Sequence, residues 1–217
     1  MKYKYLLFDL DGTVSESAAG IRASLEYAIR ELGAPMPDLD DYTLYIGPPL
    51  LDTFTGLVGL DLENAQRGSE LYREYYQRHG KHLNRAYDGI AELLQRVRLQ
   101  GAKTAVCTSK YEPFAEEILG IIGLSELFDA VCGSNLDGSR KDKRDIIPYA
   151  VRSLGGDFEA EREDAVMIGD TWFDAQGARL CGVDFIGVEY GYGSIGAMRE
   201  QGAELFAKTP SGLFELL

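Results

Sequence analysis

The 217-residue sequence predicts a doubly wound (Rossmann-like) α/β fold, a parallel sheet with helices on both faces, carrying an inserted α-helical cap. Three observations predict it. From about residue 103 onward, short apolar runs alternate with helical patterns, as successive βαβ units require. The first strand ends near residue 10 and the next begins near 103, leaving roughly 60 residues beyond the ~30 that a βαβ unit needs. Carboxylate and hydroxyl residues follow several of the predicted strands, where open α/β sheets hold their ligands.

The elements follow in order. Tyr5 to Leu10 is an unbroken apolar run, suited to a strand buried on both faces. A helix is expected from about Ser17, with Ile21, Leu25, Ala28, Ile29 and Leu32 on one stripe. The prolines of APMPDLDDY and YIGPPLLDTF interrupt regular structure. Leu71 to Arg78 and Ile90 to Leu99 read as helices, the second stopped by Gly101. KTAVCTSK supplies the second strand, Thr104 to Cys107. Helix Pro113 to Ile122, strand Ala130 to Gly133, helix Ile146 to Leu154 and strand Ala165 to Gly169 continue the alternation. Helix Ala175 to Cys181, strand Phe185 to Val188, a short strand near Leu205 and a helical turn complete it. The excess after the first strand defines a helical cap of residues 15–85 on a core of residues 1–14 and 86–217.

Composition narrows the function. The chain is 45% apolar and 26% charged with a net charge of −13, ordinary for a globular protein and opposite in sign to a nucleic-acid or anionic-membrane surface. Cys107, Cys132 and Cys181 make neither a CxxC pair nor an even count, so buried reduced thiols are expected. MKYKYLLFDLDG reaches acidic residues too early for a signal-peptide core, and no run is long enough to span a bilayer. A cytoplasmic protein is expected.

The chemistry centres on FDLDGTVSES. Asp9 and Asp11, two apart on an extended backbone, project to one face, and Gly12 lets the chain turn away sharply. Thr108 and Ser109 end the second strand; Asp170 and, one turn further, Asp174 follow the strand of AVMIGDTWFD. Lys141 and Lys143 are expected in the loop after the third strand. Four carboxylates in one crevice are costly unless a cation sits among them. An oxygen-only donor set favours a hard ion, and Mg²⁺ is the usual one where phosphate is handled. Carboxylates around Mg²⁺ with a hydroxyl and a lysine form a constellation for phosphoryl transfer.

FDLDGT, a strand ending in Thr, a lysine and GDTWFD, in that order, resemble the haloacid dehalogenase superfamily over essentially the whole chain. The resemblance is greatest to its capped branch of phosphoglycolate phosphatase and 5′-nucleotidase-like proteins. It implies that Asp9 is the nucleophile that becomes an aspartyl phosphate, and that Asp11 protonates the leaving oxygen and later activates water. It implies that Thr108 holds a phosphoryl oxygen, with Ser109, Gly12 and Thr13 in the substrate-binding set. Mg²⁺ would be held by the Asp9 side chain, the Asp11 backbone carbonyl and Asp170, with Asp174 supporting that shell. Relatives carry the lysine in a Lys-Pro pair before a helix. In GSRKDKRDIIPYA the residue nearer the helix start is Lys143, preferred over Lys141. The implied activity is Mg²⁺-dependent hydrolysis of a small phosphorylated metabolite.

Rival readings rest on particular residues. A sugar phosphomutase of the β-phosphoglucomutase type shares DxDGT and a similar cap. A dehalogenase needs no second acid at Asp11, and a phosphonatase would need Lys81, the single lysine between Lys4 and Lys103. A non-catalytic phospho-ligand binding protein would be expected to have lost a motif, and none is lost. GYGSIG (residues 191–196) matches GxGxxG, but the chain ends too soon for the strand and acidic ribose ligand that a dinucleotide site needs. His79 and His82 read as a solvated helix end; Tyr72, Tyr75 and Tyr76 read as cap packing. The YIGPPL loop is expected to face either the active site or the cap–core junction, and Trp172 the cap.

Overall fold

The computed structural model describes residues 1–217. β1 (Tyr5–Phe8) is buried throughout, and a tight turn leads to β2 (Ser15–Glu16). A helical unit follows: α1 (Ala18–Glu31), α2 (Leu50–Asp52) running into a π-helical segment at Thr53–Leu57, and α3 (Leu62–Arg78). β3 (Arg85–Ala86) returns antiparallel to β2, so a two-stranded ribbon carries the chain out to the helices and back.

Then come α4 (Ile90–Leu99), β4 (Lys103–Tyr111), α5 (Glu112–Ile121), β5 (Ala130–Ser134), α6 (Lys143–Ser153) and the short α7 (Phe158–Glu161). β6 (Ala165–Gly169), α8 (Trp172–Cys181), β7 (Asp184–Val188), α9 (Ile195–Glu200), β8 (Leu205–Ala207) and α10 (Pro210–Leu213) finish the chain. The main sheet has six strands in the order β5-β4-β1-β6-β7-β8, every neighbouring pair parallel. No helix is long and apolar enough to cross a membrane.

Period-two alternation in β1 divides the core. Leu6 and Phe8 join a cluster with α4, α5 and the inserted helices, whereas Tyr5 and Leu7 join one with α6 and α8. Inserted helices and sheet share one of these clusters, so the insertion is packed onto the core.

The structure corrects several boundaries. α3 begins nine residues before the expected Leu71, because Asp61 caps it by accepting from Asn64 N at 2.9 Å. Its first turns, LENAQRGS, bury only the small residues Ala65, Gly68 and Ser69, so no apolar stripe announced them. YIGPPLLDTF breaks structure at its prolines, then turns helical from Leu50, with Pro49 O accepting from Asp52 N and Thr53 N. Lys143 is not in a loop: Asp142 caps α6 through Arg144 N at 3.0 Å, making Lys143 its first residue. β4 runs to Tyr111, past the expected Cys107, through a register shift against β5 between Cys107 and Tyr111.

Candidate active site

β1, β4 and β6 lie side by side at the sheet centre, and their carboxyl ends bring the acidic motifs together. Asp9 directly follows β1, and its backbone N–H donates to Ile168 O of β6 at 2.8 Å. Asp170 follows β6. Asp174 lies in the first turn of α8, where Thr171 N (3.1 Å) and Thr171 Oγ1 (2.8 Å) both donate to its Oδ2 in a capping box. Carboxylate oxygens of Asp9, Asp170 and Asp174 all come within 4.8 Å of one another, and all three residues are buried.

Lys143 meets this cluster from α6. Its Nζ lies 2.8 Å from Asp9 Oδ1 and 2.6 Å from Asp174 Oδ1, and it donates to Cys107 O at 2.6 Å. Its side chain is 4% exposed, whereas Lys141 is exposed on the preceding loop, so the ammonium beside Asp9 is that of Lys143. The lysine stem crosses α8 at Gly177, where a Cβ would collide with Lys143 Cβ.

Burial drives the electrostatics. It pushes the Asp9 carboxyl up to about 6, with Lys143 pulling down and Asp174 adding to the rise. Burial, then the Asp174 and Asp9 charges, hold Asp170 well above the ordinary carboxylate range. Burial works to lower Lys143, but Asp174 and Asp9 outweigh it and keep the ammonium charged. Three buried carboxylates facing one lysine remain short of positive charge. Their donors are all oxygen, so the residues present fit a hard divalent cation such as Mg²⁺.

Asp170 is held by the protein on both oxygens. Oδ1 accepts from Thr13 Oγ1 at 3.2 Å and Oδ2 from Tyr192 N at 2.8 Å. Two of the three GYGSIG glycines explain themselves here: a Cβ at Gly191 or Gly193 would run into Asp170. The loop is glycine-rich because its backbone wraps an aspartate. Tyr192 also reaches the helical unit, its phenol oxygen accepting from Ser17 N (2.7 Å) and Ala18 N (3.0 Å) at the start of α1.

A cavity of about 270 Å³ opens above these groups. Asp9, Asp11, Thr108, Ser109 and Lys143 line it from the core, and the YIGPPL loop, Tyr72, Arg73 and Tyr76 from the inserted helices. Gly12 and Thr13, expected to contact substrate, do not line it. Thr13 lies behind Asp170 and Gly12, at φ 82°, makes the turn after Asp11. Tyr72 and Tyr76, expected as packing, are also cavity wall; Tyr75 instead stacks on Tyr27 at 4.6 Å. His79 and His82 are exposed. Trp172 stacks on Phe173 at 3.7 Å and, with Thr43 and Leu44, lines a second, neighbouring cavity.

Sequence reasoning missed two cations on this wall, Arg73 and Lys110. Lys110 Nζ lies 2.8 Å from Asp11 Oδ2. Burial works to lower Lys110, but Asp11 and the Tyr76 and Tyr72 hydroxyls outweigh it and hold it above the ordinary lysine value. No local signal marked Lys110, because the β4–β5 register shift interrupts the alternation there and Thr108, Ser109 and Lys110 all line the cavity.

Residues 6–188 match the family model described as haloacid dehalogenase-like hydrolase. The chain is 39% identical over 188 residues to the tyrosine-protein kinase PtkA of Mycobacterium tuberculosis, a match covering 87% of this chain and 62% of that protein. The chain thus spans less than two thirds of the PtkA length. It is 39% identical over 199 residues to a 5′-nucleotidase of Pseudomonas aeruginosa, covering 92% of this chain and 88% of the relative. A solved structure, described as a predicted phosphatase from Clostridium acetobutylicum, superimposes with a TM-score of 0.91 at 36% identity, covering 100% of this chain and 98% of that one.

Proposed function

The chain belongs to the haloacid dehalogenase-like hydrolase family, and from that membership we propose that it is a Mg²⁺-dependent phosphatase acting through an aspartyl phosphate. Its substrates are phosphomonoesters of small metabolites, of the phosphoglycolate or nucleoside-monophosphate type. The observation that carries this reading is Asp9, buried with Lys143 at 2.8 Å and opening on a cavity that Asp11 and Thr108 also line.

The chemistry follows from the placement. An Asp9 carboxylate oxygen attacks phosphorus, the bond from phosphorus to the ester oxygen breaks, and Asp11 gives its proton to that leaving oxygen. Asp11, now a carboxylate, takes a proton from the water that attacks the acyl phosphate, releasing inorganic phosphate and restoring Asp9. Lys143 balances charge on Asp9 and the arriving phosphoryl group, and Thr108 and Ser109 bind phosphoryl oxygens. Asp9, Asp170 and the Asp11 backbone carbonyl would hold Mg²⁺, with Asp174 supporting them; when bound it neutralises phosphoryl charge and orients the ester.

We place the core at residues 1–14 and 86–217 and the cap at residues 15–85, joined by the β2–β3 ribbon. The cap wall over a cavity of about 270 Å³ favours small esters over phosphoproteins. A cytoplasmic location accords with three free, buried cysteines. The kinase name of one relative favours a second reading, transfer of the phosphoryl group from Asp9 to a hydroxyl acceptor.

The test is phosphate release from phosphoglycolate, sugar phosphates, nucleoside monophosphates and an aryl phosphate, with Mg²⁺ and with chelator. Mg²⁺-dependent release identifies the hydrolase and its preferred ester. Loss of substrate with the phosphoryl group recovered on an added hydroxyl compound identifies the transferase. Turnover of nothing by folded protein refutes both.

A further inference from the structure

The acid/base group of the proposed mechanism has a partner that no motif supplies. Lys110 Nζ and Asp11 Oδ2 are 2.8 Å apart, with the two side chains only 10% and 14% exposed. The other Asp11 oxygen, Oδ1, is buried and makes no hydrogen bond. Lys110 reaches Asp11 because β4 continues past Cys107 through its register shift, the kind of irregularity that re-aims side chains beside functional sites. Its backbone N–H donates to Thr108 Oγ1 at 3.2 Å, so one residue orders two members of the site.

The ammonium is also held from the cap. It lies 4.5 Å from the centroid of the Tyr76 ring on α3, a cation–π contact. Tyr76 is fully buried and parallel to Tyr72 at 5.7 Å. Asn84 Nδ2 donates to the Tyr76 hydroxyl at 3.1 Å, and Ser15 Oγ donates to Asn84 Oδ1 at 2.9 Å. Ser15 lies in β2 and Asn84 just before β3, the ribbon joining cap to core. A chain of contacts therefore runs from Asp11 through Lys110 and Tyr76 to that ribbon.

We propose that Lys110 is a positioning residue for Asp11: it engages Oδ2, leaves Oδ1 to carry the exchanged proton, and is itself held in place by Tyr76 of the cap. The inference rests on the hydrolase reading. Phosphoryl charge already has Lys143 beside Asp9, whereas the Lys110 charge is directed at the acid/base carboxylate. A buried ammonium with three donors can fix one carboxylate oxygen while the ring occupies its remaining face.

The test separates proton donation from binding. kcat/KM reports the first phosphoryl transfer, in which an alkyl phosphate needs a proton on its leaving oxygen and an activated aryl phosphate does not. Lys110→Met is expected to lower kcat/KM for the alkyl ester by about 10- to 100-fold, less than the ~10²–10⁴-fold that a whole acid–base group contributes because Asp11 itself remains, and for the aryl ester by less than about threefold. Lys110→Arg should recover most of the alkyl activity. Tyr76→Leu, which spares both charges, should show the same bias more weakly and serves if Lys110→Met does not fold. Equal losses on both esters would mean a phosphate-binding or purely structural lysine and would overturn the proposal, as would no loss on either. Wild-type protein that turns over neither ester overturns the hydrolase reading and this inference together. Wild-type turnover of both with an unbiased variant overturns this inference alone.

Discussion

Lys143 Nζ lies 2.8 Å from Asp9 Oδ1, inside a site where both side chains are almost fully buried. Asp174 Oδ1 is 2.6 Å from the same ammonium, so one cation serves two carboxylates. Removing one partner of a buried pair leaves the other charge uncompensated, which costs about 3–5 kcal/mol. Lys143→Met should therefore melt well below wild type in chelator and regain part of the difference with Mg²⁺. Thermal unfolding under both conditions measures this; a variant as stable as wild type in chelator would show that the pair carries no such role.

Gly177 provides a second handle on the same ammonium. A methyl group there meets the Lys143 stem, and overpacking of this kind costs about 1–3 kcal/mol. Gly177→Ala is expected to lose stability in that range and to lose phosphatase activity by displacing Lys143, although residue 177 touches no substrate. Full activity in the variant would argue that the lysine position is loosely constrained.

The pH behaviour follows from Asp9. Its carboxyl rises from an ordinary 3.8 to about 6 on burial, so between those values the folded state holds the proton more tightly than the unfolded chain. Metal-free stability from this group is thus greatest at low pH and declines as pH rises through about 6. Mg²⁺ needs the ionised carboxylate, so the Mg²⁺-induced rise in Tm should be larger at neutral pH than below the Asp9 value. Melting curves with and without Mg²⁺ across that range check the sign; a pH-independent shift would count against Asp9 as a ligand.

Tyr192 joins cap and core through separable atoms. Its backbone N–H serves Asp170, while its phenol oxygen receives the Ser17 and Ala18 N–H groups at the start of α1. Tyr192→Phe removes only the second function. It should cost about 1 kcal/mol, the usual worth of a helix cap, and leave Mg²⁺ affinity unchanged. Titration calorimetry beside urea unfolding would detect both effects.

Much of this was legible in the sequence because the pieces that position the site obey local rules. β1 and β6 are continuous apolar runs, and the carboxylates come directly after them. What stayed hidden is non-local. Lys110 reads as a polar strand end until the β4–β5 register shift and Asp11 give it a partner 99 positions away in sequence. Thr13 sits inside the motif yet faces Asp170, because the turn at Gly12 sends it behind the carboxylate. The GYGSIG glycines matched a cofactor pattern, and only the packed structure reveals that the first two, Gly191 and Gly193, make room for Asp170. The start of α3 carries no apolar stripe because its first turns bury only small residues, and Asp61 sets the boundary.

The central claim is that Asp9 becomes covalently phosphorylated. The most direct measurement is rapid acid quench of the protein turning over a labelled activated aryl phosphate with Mg²⁺, followed by peptide mapping. Asp11→Asn would be run in parallel, since it lacks the group that activates water and should accumulate the adduct. The account predicts a hydroxylamine-sensitive phosphoryl group on the peptide containing Asp9, enriched in Asp11→Asn and missing in Asp9→Asn. Steady phosphate release by wild type, with no adduct on that peptide in either wild type or Asp11→Asn, would contradict it.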